Sequence, residues 1–377
     1  MAVPSSGELE LYGDIGTELG VAQSNVTLHG MSQTAGFTPP DAMSEFYGYD
    51  PTPPVPTSFN TVIYSGTGTG VGVTQSITGV GFQPDLVWVK SRTSSAFWHN
   101  LADSVRGVDR RLFSNTTNAE DYDSSGTYTL LSFDSDGFTV GRDNNYNSLG
   151  TNNYVAWCFK AGGAAVTNTA GTITSQVSAN VAAGFSVVTC TATGGVDTIG
   201  HGLGVAPSVI IYKTRSTTGN WSTYHQSLGN TRGVYLNLTS AVVTSTFFWN
   251  NTSPTSDVFT AYGSVGNTHI AYCFAEKAGF SKFGSYVGTG VSGQSITGLG
   301  FEPAFLIIKN IDDGTTAWRV WDNKRPVGAL LAPSSSQEEV IVPSIRLDSD
   351  GFTLESVNTQ WNNSGKTFIY MAFANQF

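Results

Sequence analysis

The chain is poor in cysteine, in charge and in long apolar runs. Its three cysteines, Cys158, Cys190 and Cys273, are too few for a disulfide framework. Two of them recur in matching surroundings, Ala156-Trp157-Cys158-Phe159 and Ala271-Tyr272-Cys273-Phe274, which suits small buried apolar residues in a strand and folding in a reducing compartment. Charged residues make up only 12% and the net charge is -10, with no cluster of Lys and Arg, which argues against a nucleic-acid surface. No apolar run approaches the roughly 18 residues that span a bilayer. Met1 to Glu8 have neither the basic nor the apolar part of a secretory signal, so the expectation is assembly inside a cell and release by lysis.

Catalytic signatures are missing as well. His29, His99, His201, His225 and His269 show no metal-ligand spacing, and no Gly-x-Ser-x-Gly elbow occurs. Gly66-Thr67-Gly68-Thr69-Gly70 lacks the lysine and the following helix that a phosphate cradle needs. A glycan-cleaving enzyme needs two carboxylates on either side of a bond; Asp103, Asp109, Glu120 and Asp121 are candidates of the kind any chain of this length offers. The expectation is no catalytic residue, no cofactor and no metal.

What the chain does have is glycine, 43 residues of it, and a block used three times. Ser76-Ile77-Thr78-Gly79-Val80-Gly81-Phe82-Gln83-Pro84 runs into Leu86-Val87-Trp88-Val89-Lys90, and the pattern returns as Thr198 to Lys213 and as Ser295 to Lys309. Each copy reads as a glycine turn, a proline suited to a strand's start, and an unbroken apolar run of strand length. An unbroken run rather than an alternating one predicts a strand covered on both faces. Around each block lie an opening strand, a closing strand and, in the first and third copies, an Asp-Gly hairpin: Asp134-Ser135-Asp136-Gly137 and Asp348-Ser349-Asp350-Gly351. These Asp-Gly segments lack the further ligands of a calcium loop and read as turns. The second copy keeps only Ser256-Asp257-Val258-Phe259 there.

The fold class expected is all-β: three tandem β-sandwich, jelly-roll-like repeats at residues 59–163, 164–279 and 280–377. A small, partly helical docking segment at residues 1–50 precedes them, joined by a proline-rich linker at 51–58. Leu9, Leu11, Ile15, Leu19, Phe46 and Tyr47 are too few apolar residues for an independent core, so they are expected to dock on a larger body. Trp98, Trp221 and Trp318 recur in equivalent places, as core anchors would. Trp249 with Asn250 and Asn251, and Trp361 with Asn362 and Asn363, are expected at the surface, where aromatic faces beside amides suit sugar rings.

Four segments together resemble a repeat of tailed-bacteriophage virion proteins of the marine or aquatic type: Gly81-Phe82-Gln83-Pro84-Asp85-Leu86-Val87-Trp88-Val89-Lys90, Asp103-Ser104-Val105-Arg106-Gly107, Ser132-Phe133-Asp134-Ser135-Asp136-Gly137-Phe138 and Tyr154-Val155-Ala156-Trp157-Cys158-Phe159. Pro4 to Leu9 and Ser44 to Tyr49 are similar to an N-terminal module of such proteins. The resemblance implies a structural protein of the virion. It would be a tail fibre or tail-associated adhesin, attached to other virion proteins through residues 1–50 and presenting its β units to a host-surface glycan. It would be a homotrimer, assembled in the host cytoplasm, with no nucleic-acid partner and no membrane insertion. A head decoration or head-fibre protein is the alternative within the virion, and a glycan depolymerase the alternative from another class.

Overall fold

Pro84, Pro207 and Pro303 each stand at or just before a strand that is buried along almost its whole length. The computed structural model describes residues 58–375 apart from 69, 71, 149–151, 326 and 343. Leu9, Leu11, Ile15, Leu19, Phe46, Tyr47 and most of the proline-rich linker lie outside the described residues. The described chain is built mostly of strands, with three α-helices of four residues each, so the all-β expectation holds.

The strands fall into three sets. The first holds β1 (Phe59–Ser65), β2 (Gln75–Thr78), β3 (Leu86–Ser91), β4 (Asn100–Asp103), β5 (Arg110–Phe113), β6 (Asp121–Tyr122), β7 (Leu130–Asp134), β8 (Gly137–Val140), helix α1 (Asn144–Asn147) and β9 (Asn153–Phe159). The second holds β10 (Val166–Asn168), β11 (Ser175–Asn180), β12 (Phe185–Thr191), β13 (Gly195–Gly200), β14 (Val209–Thr214), β15 (Ser222–His225), β16 (Arg232–Tyr235), β17 (Val243–Thr244), α2 (Thr246–Trp249), β18 (Val258–Gly263) and β19 (Thr268–Phe274). The third holds β20 (Ser281–Val287), β21 (Gln294–Thr297), β22 (Pro303–Asn310), β23 (Arg319–Asp322), β24 (Gly328–Leu331), β25 (Glu339–Val340), β26 (Ile345–Asp348), β27 (Gly351–Leu354), α3 (Thr359–Asn362) and β28 (Thr367–Ala374).

Each set makes one large antiparallel sheet and one small one. The large sheets run β1-β9-β3-β4-β5-β6 and β20-β28-β22-β23-β24-β25, the same order by position. The second, β10-β11-β12-β19-β14-β15-β16-β17, repeats that order with two strands added at one edge. The small sheets are β2-β8-β7, β13-β18 and β21-β27-β26.

The unbroken apolar runs follow from this layering, because side chains alternate between two covered faces. Leu86 and Trp88 of β3 face a core shared with the other sets, whereas Val87 and Val89 face Ile77, Phe138 and Val140 of their own small sheet. In β14, Val209 and Ile211 join the shared core, and Ile210 and Tyr212 face Ile199 and Phe259 of the small sheet. In the third set the two cores are continuous. The three closing strands meet through equivalent phenylalanines: ring centroids are 5.8 Å apart for Phe159–Phe274, 5.5 Å for Phe274–Phe373 and 5.3 Å for Phe373–Phe159, a nearly equilateral triangle. Each ring is buried, a contribution of about 2 kcal/mol apiece. An enclosed void of about 20 Å³ beside them is lined almost wholly by apolar side chains, among them Trp88, Phe305 and Trp318, and is too small for a ligand.

The second set departs from the others at two places, and each departure has a local cause. In the first and third sets Tyr64 and Tyr286 donate their hydroxyls to the helix carbonyls of Tyr146 and Trp361 at 2.9 and 2.7 Å. The second set joins β18 to β19 by a short turn without a helix, and its equivalent residue is Cys190. Its small sheet also has two strands instead of three, and α2 occupies the chain position of the third.

Candidate functional site

Ionisable side chains concentrate at the seams between the three large sheets, and the seams form a closed ring. Glu120 N–H of the first set donates to the Arg215 carbonyl of the second at 2.7 Å. Val242 of the second donates to Ile311 of the third at 2.8 Å, and Glu338 of the third donates back to Arg92 of the first at 2.8 Å. Three equivalent bonds thus run once around the body.

A second ring lies beneath. Asp103, at the end of β4, accepts from the Tyr272 hydroxyl of the neighbouring set at 2.8 Å. Asp322, at the end of β23, accepts from Trp157 Nε1 at 2.9 Å. At the third seam the neighbour's residue is Met371, which has no such donor, and the carboxylate is replaced by His225, whose Nε2 meets the Tyr370 carbonyl at 3.1 Å. A buried arginine three residues on completes two seams: Arg106 on Asp103 at 2.5 Å and Arg325 on Asp322 at 2.6 Å. The third seam has Leu228 there, with Val242 and Ile311 where the others carry Glu and Arg.

The charged seams are fully paired. Glu120 takes Arg106, Arg110 and Arg215, and Glu338 takes Arg92 and Arg325. Burial pushes the Glu120 carboxyl up, but hydrogen bonds and charge from Arg215 and Arg106 overcome it and hold it at about 2. This arrangement clamps sheets together; its carboxylates are engaged rather than poised for proton transfer. Of the other carboxylates named from the sequence, Asp121 pairs with Arg111 at 2.8 Å, and Asp109 stands at φ 64 with its carboxyl raised by burial and by Asp123.

Three lysines end the central strands, and each is buried without a carboxylate partner. Lys90 Nζ donates to the Ser91 and Ser94 carbonyls, Lys213 to Thr214 and to Thr117 of the first set, and Lys309 to Thr316 and to Thr239 of the second. Burial lowers them to about 7, 8 and 8 respectively.

The residues expected to meet a sugar are placed otherwise. Trp249 and Trp361 are buried, at 1% and 0% exposure, so the expected surface position of both indoles is corrected. Trp249 packs in the outer core of the second set with its Nε1 on the Arg232 carbonyl, and Trp361 stands edge-on to Trp321. Asn250 and Asn251 are exposed and left-handed, φ 50 and 52, closed by Thr252 N–H on the Trp249 carbonyl at 2.9 Å. Asparagine tolerates such a turn. Asn362 is buried and holds the loop after β20, accepting from Thr289 and Gly290 and donating to Val291. Asn363 is half-buried. The structure brings neither Trp–Asn group together as a binding surface.

The expected anchors Trp221 and Trp318 are buried, and each donates its Nε1 across a seam, to Phe113 and Tyr235 carbonyls at 2.9 and 3.0 Å. Trp98 is the exception, at 38% exposure; the anchor position in the first set is His99, which is buried and accepts from Trp88 Nε1 at 3.0 Å. The Asp-Gly segments do form hairpins, and their second aspartate has a task invisible in the sequence. Asp136 accepts from Gly79 and Gly81 N–H at 3.0 and 2.6 Å, and Asp350 from Gly298 and Gly300 at 3.1 and 2.6 Å, pinning the glycine turn of the repeated block. His201 stabilises that turn in the second set by accepting from Leu203 N–H and meeting the Thr255 carbonyl. Among the described residues no group of three metal-ligating side chains occurs.

At the surface, Phe247 and Tyr262 form an exposed edge-to-face pair in the second set, with centroids 5.3 Å apart. Sequence reading missed it because Phe247 directly precedes two buried aromatics, Phe248 and Trp249.

The family described as Domain of unknown function (DUF7483) matches residues 56–376. No curated protein and no solved structure matches the chain.

Proposed function

The chain belongs to the DUF7483 family, and with that membership as premise we propose that it is a structural and adhesive protein of a tailed-bacteriophage virion. Each pair of large and small sheets is read as one β-sandwich copy, three in tandem. Residues 1–50 attach to other virion proteins, the proline-rich linker spaces the body away, and the body meets a glycan of the host surface. The closed ring of seams is the observation that carries this reading. It fixes three sheets around one core with buried charges paired across each charged boundary, the construction of a rigid spacer rather than of a catalyst.

The sequence resemblance to phage virion repeats supports the same reading. So does the engagement of Asp103, Glu120 and Asp121, which ties three of the four carboxylates named for a depolymerase to arginine. The protein is read as a homotrimer, in which weak individual sites gain by multivalency. Tail fibre is preferred to head decoration because the proline-rich composition of residues 51–58 suits an extended spacer.

The test is to delete residues 1–56 from the gene in its phage and assay particles by mass spectrometry and immunolabelling. Loss of the protein from otherwise complete particles, with the intact chain labelling tail structures, is expected. Incorporation of the truncated chain would refute attachment through the N-terminal segment, and label confined to the head would refute the tail position.

A further inference from the structure

Phe247 is 71% exposed and Tyr262 43%, and Val196, paired with Tyr262 across β13 and β18, is 49% exposed. An apolar step of three adjoining side chains is unusual on a surface where other exposed tyrosines are covered. Tyr122 lies under Arg110 at 4.7 Å, and Tyr128 under Arg142 at 4.4 Å. The pair exists because α2 replaces the third strand of the small sheet. Ser245 caps this helix by accepting from Phe247 N–H, and the helix ends in the left-handed Asn250, which fixes Phe247 against β18.

The surroundings select the ligand. Residues 233–256 contain no charged residue and are rich in Ser, Thr and Asn. Asn250 and Asn251 follow the helix directly, in the left-handed turn that closes it three and four positions after Phe247. Both are exposed, and among the described residues neither side-chain amide has a hydrogen-bond partner. An exposed aromatic step followed along the chain by free amides and hydroxyls, in a stretch without charge, matches a neutral pyranose. Such a ring offers one apolar face of C–H groups to stack and a rim of hydroxyls to bond. Residues 233–256 offer no counter-charge to a lipid headgroup or a charged protein surface.

We propose that Phe247, Tyr262 and Val196 form a stacking platform for a neutral sugar ring, with Asn250 and Asn251 bonding its hydroxyls. This rests on the adhesive reading above and locates the contact in the second strand set.

The full chain is tested by saturation-transfer NMR against the methyl glycosides of glucose, galactose, mannose and N-acetylglucosamine. At least one should bind, Phe247→Ala and Tyr262→Ala should each weaken it tenfold or more, and Phe247→Trp should retain it. Unchanged thermal melting of Phe247→Ala verifies the fold. Failure of all four sugars to bind, or binding indifferent to both alanine variants, overturns the platform. So does self-association of the chain that Phe247→Ala abolishes, since a second copy would then cover the pair. Host-cell adsorption unaffected by Phe247→Ala sinks this site and leaves the adhesive reading standing. Sugar binding through Phe247 by a chain that never adsorbs to host cells does the reverse.

Discussion

Trp157 Nε1 donates to the Asp322 carboxylate at 2.9 Å, joining the closing strand of the first strand set to the fourth strand of the third. Both groups are buried, and Arg325 neutralises the carboxylate from the other side. Asp322→Ala should therefore cost about 3–5 kcal/mol, because it takes one of two carboxylates from the buried Arg325 and the acceptor from Trp157 Nε1. His225→Ala at the equivalent place should cost less, about 1–3 kcal/mol, for one orphaned carbonyl and a small void. Urea denaturation of both variants checks the order; equal losses would show that the charge pairing is immaterial.

The glycine turn of the repeated block gives a second prediction. Asp136→Ala removes two charge-assisted hydrogen bonds from Gly79 and Gly81 and should lower the melting temperature. Gly137→Ala should cost more, since φ is 154 and an added Cβ would meet the Ile77 carbonyl oxygen at contact far inside van der Waals range. The same pair of substitutions at Asp350 and Gly351 should reproduce the order, read as shifts in melting temperature.

A third prediction concerns pH. Lys90, Lys213 and Lys309 have folded values of about 7, 8 and 8 against an ordinary 10.5. The folded state thus disfavours their charged form, so their stability contribution is complete above 10.5 and is lost as pH falls toward 7 to 8. His225 and His269, held at about 4 by burial, add a further loss as pH drops below 6.5. Glu120, held at about 2, acts in the same sense below 4.5. Melting temperature should rise from pH 7 to pH 9, and Lys90→Met should flatten that rise. A parent melting temperature flat over this interval would show that the lysines are not desolvated.

The strand runs, the all-β class and the buried cysteines were legible because periodicity and β-branched content report burial directly. Leu86 to Val89 show no alternation since both faces are covered, and that needs no knowledge of what covers them. The seams were illegible for the opposite reason. Asp103 meets Tyr272, and Trp157 meets Asp322, across 169 and 165 positions, and nothing local marks either residue as one of a pair. The internal comparison did carry a signal: Asp-x-x-Arg stands at Asp103–Arg106 and Asp322–Arg325 but not at His225–Leu228, where the neighbour is Met371 instead of a donor. Trp249 and Trp361 were misplaced because the asparagines beside them suggest solvent. Asn250 and Asn251 instead meet the demand of a left-handed turn, and Asn362 caps a loop from inside.

The chain contains its own control for buried charge, and this gives the last prediction. Two seams carry Arg106, Glu120 and Arg215, or Arg325, Glu338 and Arg92; the third carries Leu228, Val242 and Ile311, with the same backbone bond preserved at 2.8 Å. An apolar seam is therefore compatible with this geometry. Arg325→Leu alone should cost about 3–5 kcal/mol, since Asp322 then stays buried without its cation. The combined replacement Asp322→His, Arg325→Leu, Glu338→Val and Arg92→Ile recreates the apolar solution. It should recover most of that loss, because desolvated pairs replaced together by packed apolar groups are often neutral or stabilising. It falls short of full recovery because Trp157 Nε1 loses its acceptor, and adding Trp157→Met, to match Met371, should restore part of the remainder. Chemical denaturation of the single, fourfold and fivefold variants gives the ordering. A fourfold variant no more stable than Arg325→Leu alone would mean that the charged seams specify the closure of the ring and that the apolar seam depends on them.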